Sequence, residues 1–537
     1  MKRITLLFIG ILIVPLFSYS GGIVTNQNQS AAYIRMFARD ASTDIDAVFF
    51  NPAGLTKLSD GFHFSLNNQY ILQNKYVTSH YPYLNNNPVE YQGEVSVPLF
   101  PGIYGAYKKG NFTLSLGINP VGGGGSATFN NGLPSFEVPV SNLVPTLSAQ
   151  GQPVSDYGLN AYFEGSSVYW GYQFGASYAF NDMFSAYLGI RYVSAKNTYN
   201  GYLKDITITL GGTETPAAAY FESTAAAIQP LNDGLNNLSD GGAGSFTLDE
   251  AYGASIIDTE TYNQLSAGYN NFGLDPSVHT IDQGYSVVND TYNETRTAAY
   301  VLQDQDNVEV EQTGSGFAPI IGVNISPSDR LNIGLKYEFK TKLELENNTT
   351  KDFIIDYDPV NDIETGMFPD GEKIRNDMPA MFSAGFDYQI TDRLSVASGF
   401  HMYFDKNANY GKKVNGIYVD NDEVIDRNST EFALGIEYNV SEKLLLSIGY
   451  LHTETGVTED YQTDLSYSNH SNSIGIGGGY AIKPGINLNL GIGYTTYNDA
   501  RKIYSAQDPL GGTLTTMEEY DKDNLFVALG MDFKFGK

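Results

Sequence analysis

Alternating apolar and polar residues recur along this chain, and the connections between the alternating stretches also alternate, tight and then long. The stretch Asp523–Phe535 (DNLFVALGMDFKF) sets Leu525, Val527, Leu529, Met531, Phe533 and Phe535 on one face. Asn524, Phe526, Ala528, Gly530, Asp532 and Lys534 occupy the other. A two-residue period marks a strand. It predicts about fourteen strands, at 60–74, 98–108, 111–121, 166–181, 183–204, 314–327, 329–345, 378–391, 392–405, 429–441, 442–455, 470–483, 485–498 and 523–535. Tight turns at Lys108–Asn111, Asn181–Met183, Pro327–Arg330, Thr391–Arg393, Val440–Lys443 and Lys483–Gly485 alternate with polar connections at 75–97, 122–165, 205–313, 346–377, 406–428, 456–469 and 499–522. An even strand number with both termini on the short-turn side predicts an all-β fold, a transmembrane antiparallel β-barrel with short periplasmic turns and long extracellular loops. A soluble sandwich has no reason to keep that long-short order.

Composition narrows the reading further. Charged residues are 17% of the chain, against about 25% for soluble domains. The 56 glycines and 40 tyrosines suit membrane strands with a polar inner face and aromatic girdles. A net charge of −29 argues against nucleic acid as a partner. Cysteine is absent, which excludes disulfides and thiolate metal sites. Lys2 and Arg3 precede an apolar run, Ile4–Phe17, and Ser18-Tyr19-Ser20 offers small residues for cleavage, so residues 1–20 are expected to be a signal peptide. No other apolar run approaches the ~20 residues of a membrane helix.

Residues 21–58 do not alternate and are expected to form an N-terminal hatch ahead of a barrel at 59–537. Ser30–Arg39 has helix-forming composition, Ser42 or Thr43 is a candidate cap for a second turn toward Phe50, and Asn51-Pro52 suits the cap and first position of a third short helix. A barrel of this size encloses a polar lumen that commonly needs a plug. The acidic connection 205–313 is too long for an ordinary loop, and Ala217–Ala227 within it reads as helical.

The segment Asn28–Leu58 (NQSAAYIRMFARDASTDIDAVFFNPAGLTKL) resembles the hatch of the outer-membrane long-chain fatty-acid and aromatic-hydrocarbon transporter family of the FadL/TodX type, most clearly in Arg39-Asp40-Ala41-Ser42 and in Asn51, Pro52, Ala53 and Gly54. Asn111–Phe129 resembles the family's interrupted third strand, and Asp377–Asp405 one of its hairpins. The end departs from the pattern, because Gly536 and Lys537 follow the aromatic Phe535 that such barrels use in assembly. The resemblance implies passive uptake of hydrophobic compounds across the outer membrane. It further implies loop capture, an apolar lumen pocket, hatch rearrangement and lateral exit at the third strand. Pro120, Gly122, Gly123, Gly124 and Gly125 are the residues expected to interrupt that strand. Gly122–Gly125 also reads as a flexible turn leading into the following loop.

Inward-facing Tyr187, Arg191, Lys336, Tyr403 and Phe526 are candidate pocket residues. Arg191, Lys336 and Lys340 are also candidates for pairing with Glu338, Glu437 or Asp532 across the lumen. No GxSxG, HExxH or phosphate-loop motif is present, and the six histidines are scattered. The carboxylates of Asp420–Asp426 lack the glycine and glutamate of a calcium loop. No catalytic residue, metal or cofactor is expected. The expected partners are a hydrophobic small molecule, outer-membrane lipid and the barrel assembly machinery, with the protein a monomer. The competing reading is a structural or adhesive surface protein with a plugged barrel.

Overall fold

Fourteen strands, each paired antiparallel with its neighbours, close into one barrel. The computed structural model describes residues 23–414 and 417–535; the leader expected over residues 1–20 lies outside them. The strands are β1 Gly61–Ser79, β2 Val89–Lys109, β3 Phe112–Phe129, β4 Val154–Ala179, β5 Phe184–Leu210, β6 Gln305–Ser328, β7 Leu331–Glu338, β8 Met381–Gln389, β9 Leu394–Tyr403, β10 Ser429–Asn439, β11 Leu444–Glu454, β12 Ser471–Lys483, β13 Ile486–Tyr497 and β14 Thr513–Phe535. β14 pairs with β1 from Phe62↔Phe535 to Ser79↔Glu518, which seals the wall. Short strands at Glu344–Lys351 and Ala500–Gln507 extend it on the long-connection side.

The wall is lopsided. β4, β5 and β6 have 26, 27 and 24 residues, whereas β8, β9 and β10 have 9, 10 and 11. On the tall side the outer face changes character part-way up. β6 exposes Phe317, Ile321 and Val323 below and Glu309 and Thr313 above. On β4 the outward run from Val168 through Trp170, Tyr172 and Phe174 to Tyr178 is apolar, and Asn160, Glu164 and Ser166 lie above it. About ten residues at ~3.3 Å each, tilted by ~40°, span ~25 Å, the height of the apolar band of an outer-membrane barrel. Strands that extend above the band explain why the sequence reading stopped them short. Much of 75–97, 122–165 and 499–522 is strand rather than loop, but its outer face meets water and carries no apolar alternation.

Between β5 and β6 stands a helical elaboration, α5 Ala217–Leu238, α6 Leu248–Gly253, α7 Thr259–Asn271 and α8 Ile281–Val301, following the short hatch and loop helices α1 Ala31–Arg35, α2 Ala47–Phe50, α3 Pro134–Ser141 and α4 Leu143–Ala149. Thr247 and Thr280 start α6 and α8 with reciprocal capping boxes to Glu250 and Gln283. Leu235, Leu248, Leu265, Tyr269, Ile281 and Val288 give these helices a core of their own. Among the described residues no helix is long and apolar enough to cross a membrane.

Candidate functional site

Residues 23–58 lie within the barrel and are almost wholly buried. Ser30 caps α1, its Oγ accepting from the Tyr33 amide at 3.4 Å. The second helix starts at Ala47, after Asp46 rather than Ser42 or Thr43. The turn between them is tied by Arg39, which donates to both oxygens of Asp46 at 2.7 and 2.9 Å, to Ser42 Oγ at 2.9 Å and to Asp44 at 2.7 Å. Burial works against the charge of Arg39, but Asp46 and Asp44 outweigh it and hold the guanidinium protonated.

The Asn51–Gly54 motif joins the hatch to the wall. Pro52 opens the 3₁₀ turn Pro52–Lys57, yet Asn51 makes no cap bond with its side chain. Its Nδ2 donates instead to the Ser42 carbonyl at 3.1 Å and to Asn324 Oδ1 on β6 at 2.7 Å. The carbonyls of Pro52 and Ala53 accept from Ser177 Oγ at 2.6 Å and Ser185 Oγ at 2.8 Å. A Cβ at Gly54 would lie 2.5 Å from Asn51 Nδ2 and 2.6 Å from the Ser42 carbonyl oxygen, so a side chain there would displace the asparagine.

The hatch rests on inward-facing glycines. A Cβ at Gly475 would stand 2.0 Å from the Ile34 carbonyl oxygen, one at Gly334 2.0 Å from that of Asp40, and one at Gly449 2.6 Å from the Phe37 nitrogen. The side chains that anchor it are charged. Arg35 pairs with Glu437 and donates to Ser447 Oγ at 2.8 Å. Asp40 Oδ1 lies 2.7 Å from His401 Nε2, and His401 Nδ1 lies 2.7 Å from Glu431 Oε2, which also accepts from Tyr403 at 2.9 Å.

A cavity of ≈ 50 Å³ lies between the hatch and the β5–β10 side of the wall. That space holds a few water molecules and no acyl chain. Arg191, Lys336 and Tyr403 line it; Tyr187 and Phe526 do not. Both cations engage Glu338, Arg191 at 2.5 and 3.2 Å and Lys336 at 2.7 Å. Their heads also flank the ring of Phe49 from the hatch, at 5.1 Å for Arg191 Cζ and 4.8 Å for Lys336 Nζ. Lys340 pairs elsewhere, 3.6 Å from Asp377. Tyr187 packs beside Ala53 and Ile320 near the Asn51–Gly54 turn, and Phe526 packs across the lumen in the cluster that holds Ile34 and Phe37. Among the described residues no cluster of three histidines or carboxylates is arranged for a metal, and Asp420 serves as the cap of a short helix, Asn421–Val424.

The third strand is interrupted on one side. Its ladder with β2 jumps from Val95↔Ala127 to Ile103↔Ile118, which leaves Asn119–Ser126 outside it. On the β4 side pairing continues through shifts at Pro120/Gly122 and Gly123/Gly125. Gly123 and Gly125 take φ of +70° and +91°, a backbone that side chains disfavour. Thr25 bridges Gly122 from inside, with Asn26 N donating to the Val121 carbonyl at 3.3 Å and Gly123 N to that of Val24 at 3.4 Å. Residues 24–26 thus back the break from inside the barrel.

The family described as outer membrane protein transport protein (OMPP1/FadL/TodX) matches over residues 277–535. That match takes in β6 to β14 and part of the helical elaboration before them. Two solved structures share its fold. One is a Pseudomonas aeruginosa FadL homologue, 14% identical, covering 96% of this chain and 100% of its own, with a TM-score of 0.57. The other is a Pseudomonas putida toluene transporter, 11% identical, covering 97% and 100%, with a TM-score of 0.50. No curated protein matches. The barrel resides in the outer membrane. Sequence reasoning missed the seat of glycines, the Phe49 clamp and the bridge of Thr25–Asn26 to the third strand. The inward glycines at every second position were the available signal for the first; the other two depend on tertiary placement and leave none.

Proposed function

We propose that this barrel takes up hydrophobic compounds passively, with the hatch as a gate and the β2–β3 break as a lateral exit. The observation that carries the reading is the break itself. A wall built only to anchor surface loops has no use for a stretch outside its ladder, lined by glycine and backed by residues 24–26 of the hatch. The description of the matching family as transport proteins and the fold shared with a solved toluene transporter support a hydrophobic cargo. The route needs rearrangement, because the cavity beside the break admits water but no cargo. Movement of Val24–Asn26 away from Val121–Gly123 would open that cavity toward the gap. Uptake of radiolabelled oleate by vesicles with and without the protein tests the proposal. Faster uptake with protein supports it; equal uptake overturns it and leaves the surface-protein reading.

A further inference from the structure

The connections after β3 and β11 meet above the apolar interior of the barrel. The first carries α3 and α4; the second carries a turn in which Thr463 and Ser466 exchange backbone bonds of 3.0 and 2.9 Å. Asp464 in that turn engages the start of α3, its Oδ2 accepting from the Ser135 amide at 2.9 Å and its Oδ1 from the Leu465 amide at 2.9 Å. Beneath the junction Phe136 packs on Phe163 and Phe353, with ring centroids 5.7 and 5.1 Å away, in the cluster that continues to Phe37 and Phe50 of the hatch. Residues 134–149 therefore lie over the interior as a lid. One flank of it is greasy, where Val140, Leu143 and Leu147 share a cluster with Ile208 of β5, Phe221 of α5 and Ala298 of α8.

The other flank is built from acids and hydroxyls. Glu518 on β14 accepts from the Tyr504 and Tyr520 hydroxyls at 2.9 and 2.6 Å. Glu137 of α3 accepts from those of Tyr91 on β2 and Tyr157 on β4 at 2.6 and 2.7 Å, and Tyr81 donates to Asn142 at 2.7 Å. Asp464 and Glu518 are only 5% and 9% exposed, too little for water to screen their charges. Lys502 stands across the ladder from Glu518, but its Nζ donates to the carbonyls of Asp460 and Gln462 at 3.4 and 3.2 Å. Among the described residues neither Asp464 nor Glu518 has an ion-pair partner.

Burial and the charge of Asp464 push the Glu518 carboxyl up to about 7, and the Tyr520 and Tyr504 hydroxyls and Lys502 only partly oppose this. Burial also raises Asp464, against the pull of the Ser135 and Leu465 amides. The tyrosines suit either state, because a hydroxyl donates to a carboxylate and accepts from a protonated carboxyl. Two buried carboxylates sharing a site without a cation do not, since the second charge is repelled by the first.

We propose that Asp464 and Glu518 form an acid-locked clasp, which holds the lid shut while they are protonated and frees its β14 flank as both ionise. A carboxyl raised in the closed state stabilises that state below its open-state value and ceases to do so as pH climbs through the closed-state one. The window runs from about pH 5 to about pH 8, and Glu518 alone weakens closure across it on the order of fiftyfold. The clasp works whatever the barrel carries, and it is separate from the hatch and from the β2–β3 break.

Hydrogen exchange over residues 134–149 of the full-length purified barrel, followed by mass spectrometry at pH 5 and pH 8 and corrected for intrinsic rates, tests this. Protection in the native protein should fall at least tenfold between the two, and D464N/E518Q should hold it within about twofold. Helix α7, which belongs to the core of the elaboration, should not respond. Unchanged protection in the native protein, a native-sized response in the double variant, or an equal response in α7 overturns the proposal. Should the double variant fail to form a heat-modifiable barrel, Glu518→Gln alone must cut the native response at least fivefold; a smaller cut overturns it.

Discussion

Replacing Gly475 by alanine should unseat the hatch. The added Cβ would lie 2.0 Å from the Ile34 carbonyl oxygen, where ordinary carbon–oxygen contact needs roughly 3.2 Å or more. Relief therefore requires a displacement of about 1 Å. β12 cannot supply it, because its ladders with β11 and β13 fix it on both sides. The hatch must move, and with it the Arg35 contacts to Glu437 and Ser447. Overpacking a well-filled site costs about 1–3 kcal/mol; a clash with backbone, which cannot rotate away, belongs at the upper end. About 3 kcal/mol raises the unseated fraction on the order of a hundredfold. The chain has no cysteine, so a single cysteine in place of buried Ala41 gives a clean readout with a membrane-impermeant maleimide. Labelling should accelerate by at least tenfold, and single-channel conductance in planar bilayers should rise. Gly105→Ala is the control, since its Cβ would meet no heavy atom within 4 Å. Labelling and conductance within twofold of native, in a variant that still forms a heat-modifiable barrel, would refute the idea that the glycines seat the hatch.

Deleting Ile23–Asn26 should uncover the break and raise ion conductance severalfold, with the barrel intact; a silent deletion would mean that the β2–β3 gap is closed by the wall alone. Burial pushes the Asp352 carboxyl, in the connection after β7, up to about 6, and the amides of Phe368, Phe353 and Met367 only partly oppose this. A carboxyl raised on folding adds stability below its unfolded value and loses it as pH climbs through the folded one. Hydrogen exchange across Phe353–Met367 should therefore slow as pH falls from about 6 toward 4, after correction for intrinsic rates, and Asp352→Asn should abolish that dependence. The single tryptophan, Trp170, faces outward on β4 near the upper edge of the apolar band. Its fluorescence should be quenched by brominated lipid and hardly by aqueous acrylamide; the opposite pattern would misplace the membrane boundary.

Strand order and facing were legible wherever lipid contacts the outer face. There a strand must be apolar outside and polar or small inside, so the period is visible in β7, β10, β13 and the lower part of β14. Above the lipid the constraint vanishes, and β4 and β5 continue through residues such as Asn160 and Asp205 that read as loop. Pockets were less legible. Arg191, Lys336 and Tyr403 were found because charge or aromatic bulk on an inward position is unusual, but position along the barrel axis separates Tyr187 from them, and only the closed structure supplies it. His401 looked isolated because its partners, Asp40 and Glu431, come from the hatch and the next strand.

The uneven height of the wall puts single strands into two solvents. The lower parts of β4, β5 and β6 are held by lipid and by backbone hydrogen bonds that have no competitor in hydrocarbon. Their upper parts stand in water and depend on burial against the interior, as in any soluble sheet. A denaturant acts on the second portion and hardly on the first, whereas bilayer thickness acts on the first alone. Each long strand therefore carries two stabilities that respond to different environments. The upper sheet, with the helices it supports, is able to loosen without taking the spanning barrel apart.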